Sequence, residues 1–146
     1  MKLIFLDVDG VLNTSKSRMK FGIYNIDAIF LRRLKAIVTA TGAKIVISSN
    51  WRFSKNTRAA LDCNLAEFGI FDSVIGETPD LNIFNRHQEI RKWLFENNFP
   101  IDGKFAVVDD LPSACLAEYP KSFFLTNDDM GLTAEIANKI ILHLNS

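Results

Sequence analysis

The sequence predicts an α/β protein of three layers, with helices on both faces of a mainly parallel sheet of five strands. Three observations carry this expectation. Short apolar runs recur at residues 3–6, 44–47, 73–75, 104–108 and 122–125. Stretches with helical spacing lie between them. Carboxylates or hydroxyls follow the first, second and fourth runs at once: Asp7 and Asp9, Ser48 and Ser49, Asp109 and Asp110. Strands that alternate with helices need crossover connections and so build parallel sheets covered on both sides. Such sheets bind ligands beyond the carboxyl ends of their strands.

The first run closes on Leu6-Asp7-Val8-Asp9-Gly10-Val11-Leu12-Asn13, where Gly10 ends the strand in a turn that lets backbone approach a ligand. Alternation along a strand turns Asp7 and Asp9 the same way. Two converging carboxylates repel, and one would retain a proton. A divalent cation removes that conflict and suits carboxylate oxygens, so the stretch asks for Mg2+. A lone Asp-x-Asp is as readily an ordinary polar turn. A calcium loop is excluded, because the EF-hand pattern would put Val11, Leu12 and Arg18 where an oxygen ligand, a glycine and a glutamate belong.

Residues 14–25 are polar and basic with a few aromatics, and read as a loop or a small hairpin flap. Asp27 is placed to cap a helix that turns Ile29, Phe30, Leu34, Ile37 and Val38 to the core and ends near Gly42. The second run leads straight into Ser48-Ser49-Asn50-Trp51-Arg52. Ser54 can cap the next helix, with Leu61, Leu65 and Phe68 on one face. The third strand is short and precedes Gly76 and Pro79. Asn85 followed by Gln88 is a capping-box pattern that opens a helix through Ile90, Trp93 and Leu94. The fourth run ends in Asp109-Asp110, and Pro112 begins a short helix at its favoured first position. After the fifth strand, residues 132–144 form a closing amphipathic helix.

The chain has 146 residues, 48% hydrophobic and 23% charged, which suits one domain over residues 1–146 with a real core. No apolar stretch has the length to span a bilayer. The N-terminal run is broken by Asp7 and lacks the apolar segment of a signal peptide. Cys63 and Cys115 stand far apart without metal-type spacing and are expected as buried thiols. The expectation is a cytoplasmic protein with no membrane partner. Net charge is zero, yet residues 14–58 carry ten basic residues and one acid, Asp27, a local excess of nine positive charges. That asymmetry hints at a polyanionic partner.

In order, the chain shows an apolar strand with Asp-x-Asp-Gly-Val-Leu, a strand with Ser, a basic residue opening a helix, and a strand with Asp-Asp. This resembles the four motifs of the haloacid dehalogenase (HAD) superfamily of phosphohydrolases, over residues 3–110. More narrowly, Ser48-Ser49-Asn50-Trp51-Arg52, Arg86 with Glu89-Ile90 and Trp93-Leu94, Asp109-Asp110 and Gly131-Leu132-Thr133 resemble the small HAD-type domain of Swiss Army Knife RNA repair proteins. The resemblance implies a Rossmann-like fold without a large cap domain and a magnesium-dependent phosphomonoester hydrolase. Asp7 would attack phosphorus to form an aspartyl-phosphate. Asp9 would protonate the leaving oxygen and then take a proton from the hydrolytic water. Magnesium would be held by Asp7, the backbone carbonyl of Asp9 and the acids after the fourth strand, with Asp110 the favoured direct ligand and Asp109 direct or one step removed. Ser48 matches the phosphate-binding hydroxyl, and Ser49 takes its place if the strand registers one residue later. Arg86 would hold the phosphate at its helix start. Arg52 competes for that role or forms a second clamp on substrate, and the Gly10 amide can face the same phosphate. His87, His143 and Asp128-Asp129 receive no chemical role, and Trp51 reads as packing.

The gaps at residues 13–26 and 53–85 leave no room for an inserted cap, so the crevice should be open to a large substrate. With the basic excess, this favours terminal phosphates on RNA or DNA. Zero net charge counts against strong autonomous nucleic-acid binding, so small-molecule or nucleotide phosphatase activity is the alternative. A reading of another class is a non-enzymatic phospho-acceptor or binding domain like bacterial receivers. Receivers put the acidic pair after the first strand and the acceptor after the third; this chain reverses that order and adds Asp9, which argues for turnover. An acid at position 9 also argues against dehalogenation. The sequence specifies no oligomeric state.

Overall fold

Alternation along the strands sorts the apolar side chains into two cores on opposite faces of one sheet. The computed structural model describes residues 1–82, 85–100 and 102–146. Strands β1 (Lys2–Leu6), β2 (Lys44–Ile47), β3 (Val74–Glu77), β4 (Lys104–Asp109) and β5 (Phe123–Leu125) pair in parallel throughout, in the order β3-β2-β1-β4-β5. The helices are α1 (Ser15–Phe21), α2 (Ala28–Thr41), α3 (Lys55–Glu67), α4 (Arg86–Glu96) and α5 (Ala134–Asn145). Ile4, Leu6, Ile45, Ile47, Ala106 and Val108 pack with buried residues of α2, α3 and α5. Leu3, Phe5, Val46, Phe105 and Val107 pack with Ile90 and Trp93 of α4. The Phe5 ring packs edge-to-face with those of Trp93 and Phe105 at centroid distances of 5.6 and 5.9 Å. The three-layer α/β fold predicted from the strand–helix alternation is therefore the one observed.

The strand order reverses direction at β1: the chain winds outward through β2 to β3, then returns to β4 and β5 on the other side. The crevice of such a sheet opens at that switch point, here between the carboxyl ends of β1 and β4. Asp7 and Asp109 flank it.

Several local expectations change. Residues 15–21 form α1, not a loop or hairpin: the Thr14 hydroxyl accepts from the Ser17 N–H, and the Ser17 hydroxyl accepts from the Thr14 N–H. This reciprocal cap supports a helix that buries none of its residues and so gives no apolar periodicity to read. In α2 the buried stripe is Phe30, Leu31, Leu34 and Ile37, while Ile29 is exposed. Gly42, at φ +69°, ends α2 as expected, since that left-handed conformation suits glycine. Asp27 and Asn85 occupy N-cap positions without a side-chain capping bond among the described residues; Asp27 accepts instead from the Asn25 carboxamide at 2.7 Å. A 3-10 turn, Asn50–Phe53, separates β2 from α3, and Thr133 caps α5. Cys63 is exposed and Cys115 half-buried, both free, so neither is the fully buried thiol expected. No helix among the described residues is long and apolar enough to cross a membrane.

Candidate active site

The site follows from strand register. Leu6 stands beside Ile47 on one side and Val108 on the other. The ladder runs one step further: the Ser48 N–H donates to the Leu6 carbonyl at 2.8 Å, and the Asp7 N–H to the Val108 carbonyl at 3.1 Å. Ser48, Asp7 and Asp109 thus stand in one row at the ends of three adjacent strands. Each follows a residue of the α2/α3/α5 core, so alternation turns all three side chains to the opposite face, where α4 lies.

Arg86, the first residue of α4, meets that row. Its Nη1 lies 3.0 Å from Asp7 Oδ2 and 2.6 Å from Asp109 Oδ2. Asp109 Oδ1 accepts from the Leu111 N–H at 2.9 Å, so both of its oxygens are engaged. Asp7, Asp109 and Asp110 each offer one oxygen, all within 4.8 Å of one another, a grouping that can hold a metal ion.

The charges do not balance. Burial, then the neighbouring Asp109 charge, pushes the Asp7 carboxyl well above the ordinary carboxylate range, and the Arg86 guanidinium only partly opposes this. Burial and Asp109 also raise Asp110. Burial alone would weaken protonation of Arg86; the Asp7 and Asp109 charges outweigh it and hold the guanidinium more firmly protonated than usual. One guanidinium among three carboxylates leaves a deficit of positive charge that a divalent cation fits.

Ser48 is 1% exposed, and its hydroxyl has no hydrogen-bond partner among the described residues. A buried hydroxyl left this way is costly unless something else is meant to meet it. Ser49 differs: its hydroxyl accepts from the Trp51 N–H at 3.1 Å and caps the 3-10 turn.

The family model that describes the HAD domain in Swiss Army Knife RNA repair proteins matches residues 3–137. The chain belongs to that HAD family. No curated protein and no solved structure matches it. At the level of the family this is a phosphatase-type hydrolase domain of a kind that typically uses a metal.

In this HAD domain the remaining expected residues take varied places. β1 ends at Leu6, so alternation does not extend to Asp9, which is exposed and lies outside the cluster of three carboxylates. The Asn13 carboxamide holds it, Nδ2 donating to Asp9 Oδ1 at 2.9 Å. Asn13 is fully buried, and its Oδ1 accepts from the Gly10 N–H at 3.0 Å and from Arg18 Nη1 at 2.7 Å. The Gly10 amide, expected to face phosphate, is therefore already engaged. What Gly10 provides is space: at φ +78° it sits where a Cβ would collide with the Asp110 carboxylate.

Arg18 is in turn gripped by both oxygens of Asp128, at 2.8 and 2.6 Å. Asp128, given no chemical role from the sequence, is the anchor of this chain of contacts, and neither Asn13 nor Arg18 was expected in it. The Asn13 position directly after the motif was the one available signal. Arg52, expected as a competitor of Arg86 or as a second clamp on substrate, has its guanidinium engaged within the protein. Its side chain is 1% exposed and donates to the carbonyls of Thr78, Ser49 and Pro79 at 3.0, 2.9 and 3.3 Å, and to Glu89 Oε2 at 3.0 Å. Trp51 is buried and meets the edge of Tyr24. His87 contacts the Ser113 carbonyl, and His143 the Phe105 carbonyl.

Proposed function

We propose that the chain is a magnesium-dependent phosphomonoester hydrolase that works through an aspartyl-phosphate on Asp7 and acts on terminal phosphates of nucleic acid. The row of Ser48, Asp7 and Asp109 facing Arg86 carries this reading. It puts a carboxylate between an unengaged hydroxyl and a guanidinium, a setting that can receive the oxygens of a phosphoryl group. Asp7 Oδ attacks phosphorus while the bond to the ester oxygen breaks, and Asp9 gives its proton to that leaving oxygen. Asp9 then takes a proton from water as the water oxygen attacks phosphorus, which releases inorganic phosphate and restores Asp7.

The Ser48 hydroxyl and the Arg86 guanidinium donate to the equatorial oxygens, where charge accumulates in the transition state. Asp7, Asp110 and the Asp9 carbonyl would hold the ion. Asp109, both of whose oxygens are occupied, orients Arg86 and stands one step back. Bound magnesium supplies charge neutralisation at the phosphoryl oxygens and favours the ionised, nucleophilic form of Asp7. Asn13 keeps Asp9 in place.

Support for a large anionic substrate comes from three sides. The stretch between Asp9 and α2 holds only the seven-residue α1, and the stretch after Ser48 holds α3 and β3. Residues 14–58 carry the basic excess, part of which, Arg18, Arg52 and Arg58, is paired with acids outside the stretch, and the family is named for RNA repair proteins. The same reading treats residues 1–146 as one domain and sets it in the cytoplasm.

The deciding experiment measures phosphate release from an aryl phosphate and from 3′- and 5′-phosphorylated oligonucleotides, with magnesium or with EDTA, for the wild type and Asp7→Asn. Metal-dependent release that is lost in Asp7→Asn is expected, with oligonucleotides preferred. A preference for small esters would replace the substrate class. Phosphate that persists on Asp7 without release would replace hydrolysis by a phospho-acceptor role.

A further inference from the structure

We propose that the cavity beside Arg86 is a nucleobase pocket, so that this site reads the nucleotide whose phosphate it removes; the identity of that phosphate rests on the hydrolase reading above. The cavity measures about 270 Å³ and is bordered by Asn50, Phe53, Asn82, Asn85, Arg86 and Leu111. Its size lies just below the usual range of small-molecule sites, about 300–1,000 Å³, which suits a single nucleoside rather than a helical end. Arg86 belongs to both the cavity wall and the carboxylate row, so the cavity adjoins the place where phosphate would sit.

The wall chemistry selects the occupant. Phe53 is 53% exposed, and the Arg52 guanidinium lies 4.3 Å from the centroid of its ring. Arg52 is itself fixed by its three carbonyls and Glu89, so the ring is held from one side and available on the other. A planar base stacks on such a ring, and stacking tolerates any base because each has a π-face. Leu111, 44% exposed, adds an apolar border. The carboxamides of Asn50, Asn82 and Asn85 offer donors and acceptors together, the pattern that pairs with base edges.

Charge excludes the other anionic occupants. Among the described residues Arg86 is the cation of the lining, since Arg52 and Glu89 neutralise one another and Asp80 adds a negative charge. A second phosphate or an acidic peptide finds no second cation among the described residues of the lining. An uncharged planar group needs none.

The test is calorimetric binding of nucleoside monophosphates, ribose 5-phosphate and inorganic phosphate to the Asp7→Asn protein in magnesium, repeated with Phe53→Leu and Phe53→Trp added. Nucleoside monophosphates should bind about tenfold or more tighter than ribose 5-phosphate, a gain of the size stacking gives. Phe53→Leu should abolish that preference, and Phe53→Trp should keep it. Melting curves should show both variants folded, because Phe53 is half exposed. Equal binding of nucleotides and ribose 5-phosphate, or a preference that survives Phe53→Leu, overturns the pocket even if the wild type hydrolyses both. A Phe53-dependent nucleotide preference in a protein that hydrolyses nothing keeps the pocket and removes the hydrolase reading.

Discussion

Arg52 and Arg86 are both largely buried, both tied to α4, and opposite in what surrounds them. Arg52 meets one carboxylate and three carbonyls, and Glu89 completes its own pairing with the Leu81 N–H at 3.1 Å. Its charge is balanced and its donors have partners. Arg86 meets two carboxylates, Asp7 and Asp109, of a group that Asp110 completes, beside a serine hydroxyl with no partner among the described residues. The first arrangement is finished as a piece of architecture. The second is short of positive charge and leaves a hydroxyl unpaired, which the proposed cation and phosphoryl group would complete. An arginine in a motif-bearing stretch is therefore assigned by its charge balance rather than by its position alone.

Removing the reacting groups should produce the widest separation between the two regions. Asp7→Asn should reduce phosphate release to background, and Asp9→Asn should lower kcat by about 10²–10⁴-fold, with both proteins folded by circular dichroism. The closed region should respond in stability instead. Glu89→Ala leaves a buried guanidinium without its carboxylate and should cost about 3–5 kcal/mol in urea unfolding, whereas replacing both partners by apolar residues should recover most of it. A Glu89→Ala protein as stable as wild type would break the comparison.

The adjacent serines sharpen it further. Ser49→Ala removes the cap of the 3-10 turn and should cost about 0.5–2 kcal/mol. Ser48→Ala should cost no stability, since its hydroxyl has no partner to lose, yet should weaken phosphate binding about tenfold, the effect of a hydrogen bond to a charged group.

The subtlest effect is in pH. A carboxyl raised by folding, as Asp7 is, binds its proton more tightly in the folded state. In chelator, stability should therefore fall as pH rises from the ordinary carboxylate range through the raised value. Asp7→Asn and added magnesium should each flatten that slope in thermal melts, and an unchanged slope would show that Asp7 is not the source.

All five strands were legible because apolar runs bounded by polar residues encode them locally, and the row of Ser48, Asp7 and Asp109 follows once the sheet is parallel. Where helices carried an apolar face they too could be read. α1 could not, since its capping box is local but its apolar residues Met19 and Phe21 face solvent. The roles of Arg52 and Asp128 were hidden for another reason: Glu89 lies 37 residues from Arg52, and Asp128 lies 110 from Arg18. No spacing rule reaches that far. The Gly10 amide meets no ligand because Asn13, the residue directly after the motif, folds back as its acceptor, and the motif itself does not encode that bond.

That long reach between Arg18 and Asp128 has a consequence for synthesis of the chain. Residues 10–18 are fastened to residues 126–132 by the Thr126 hydroxyl donating to the Gly10 carbonyl at 2.7 Å, the Ser15 N–H to the Asp128 carbonyl at 2.8 Å and the Leu132 N–H to the Val11 carbonyl at 2.8 Å. During synthesis the segment next to Asp9 emerges more than a hundred residues before its partners and settles only once residues 126–132 have followed, because contacts so distant in sequence close late.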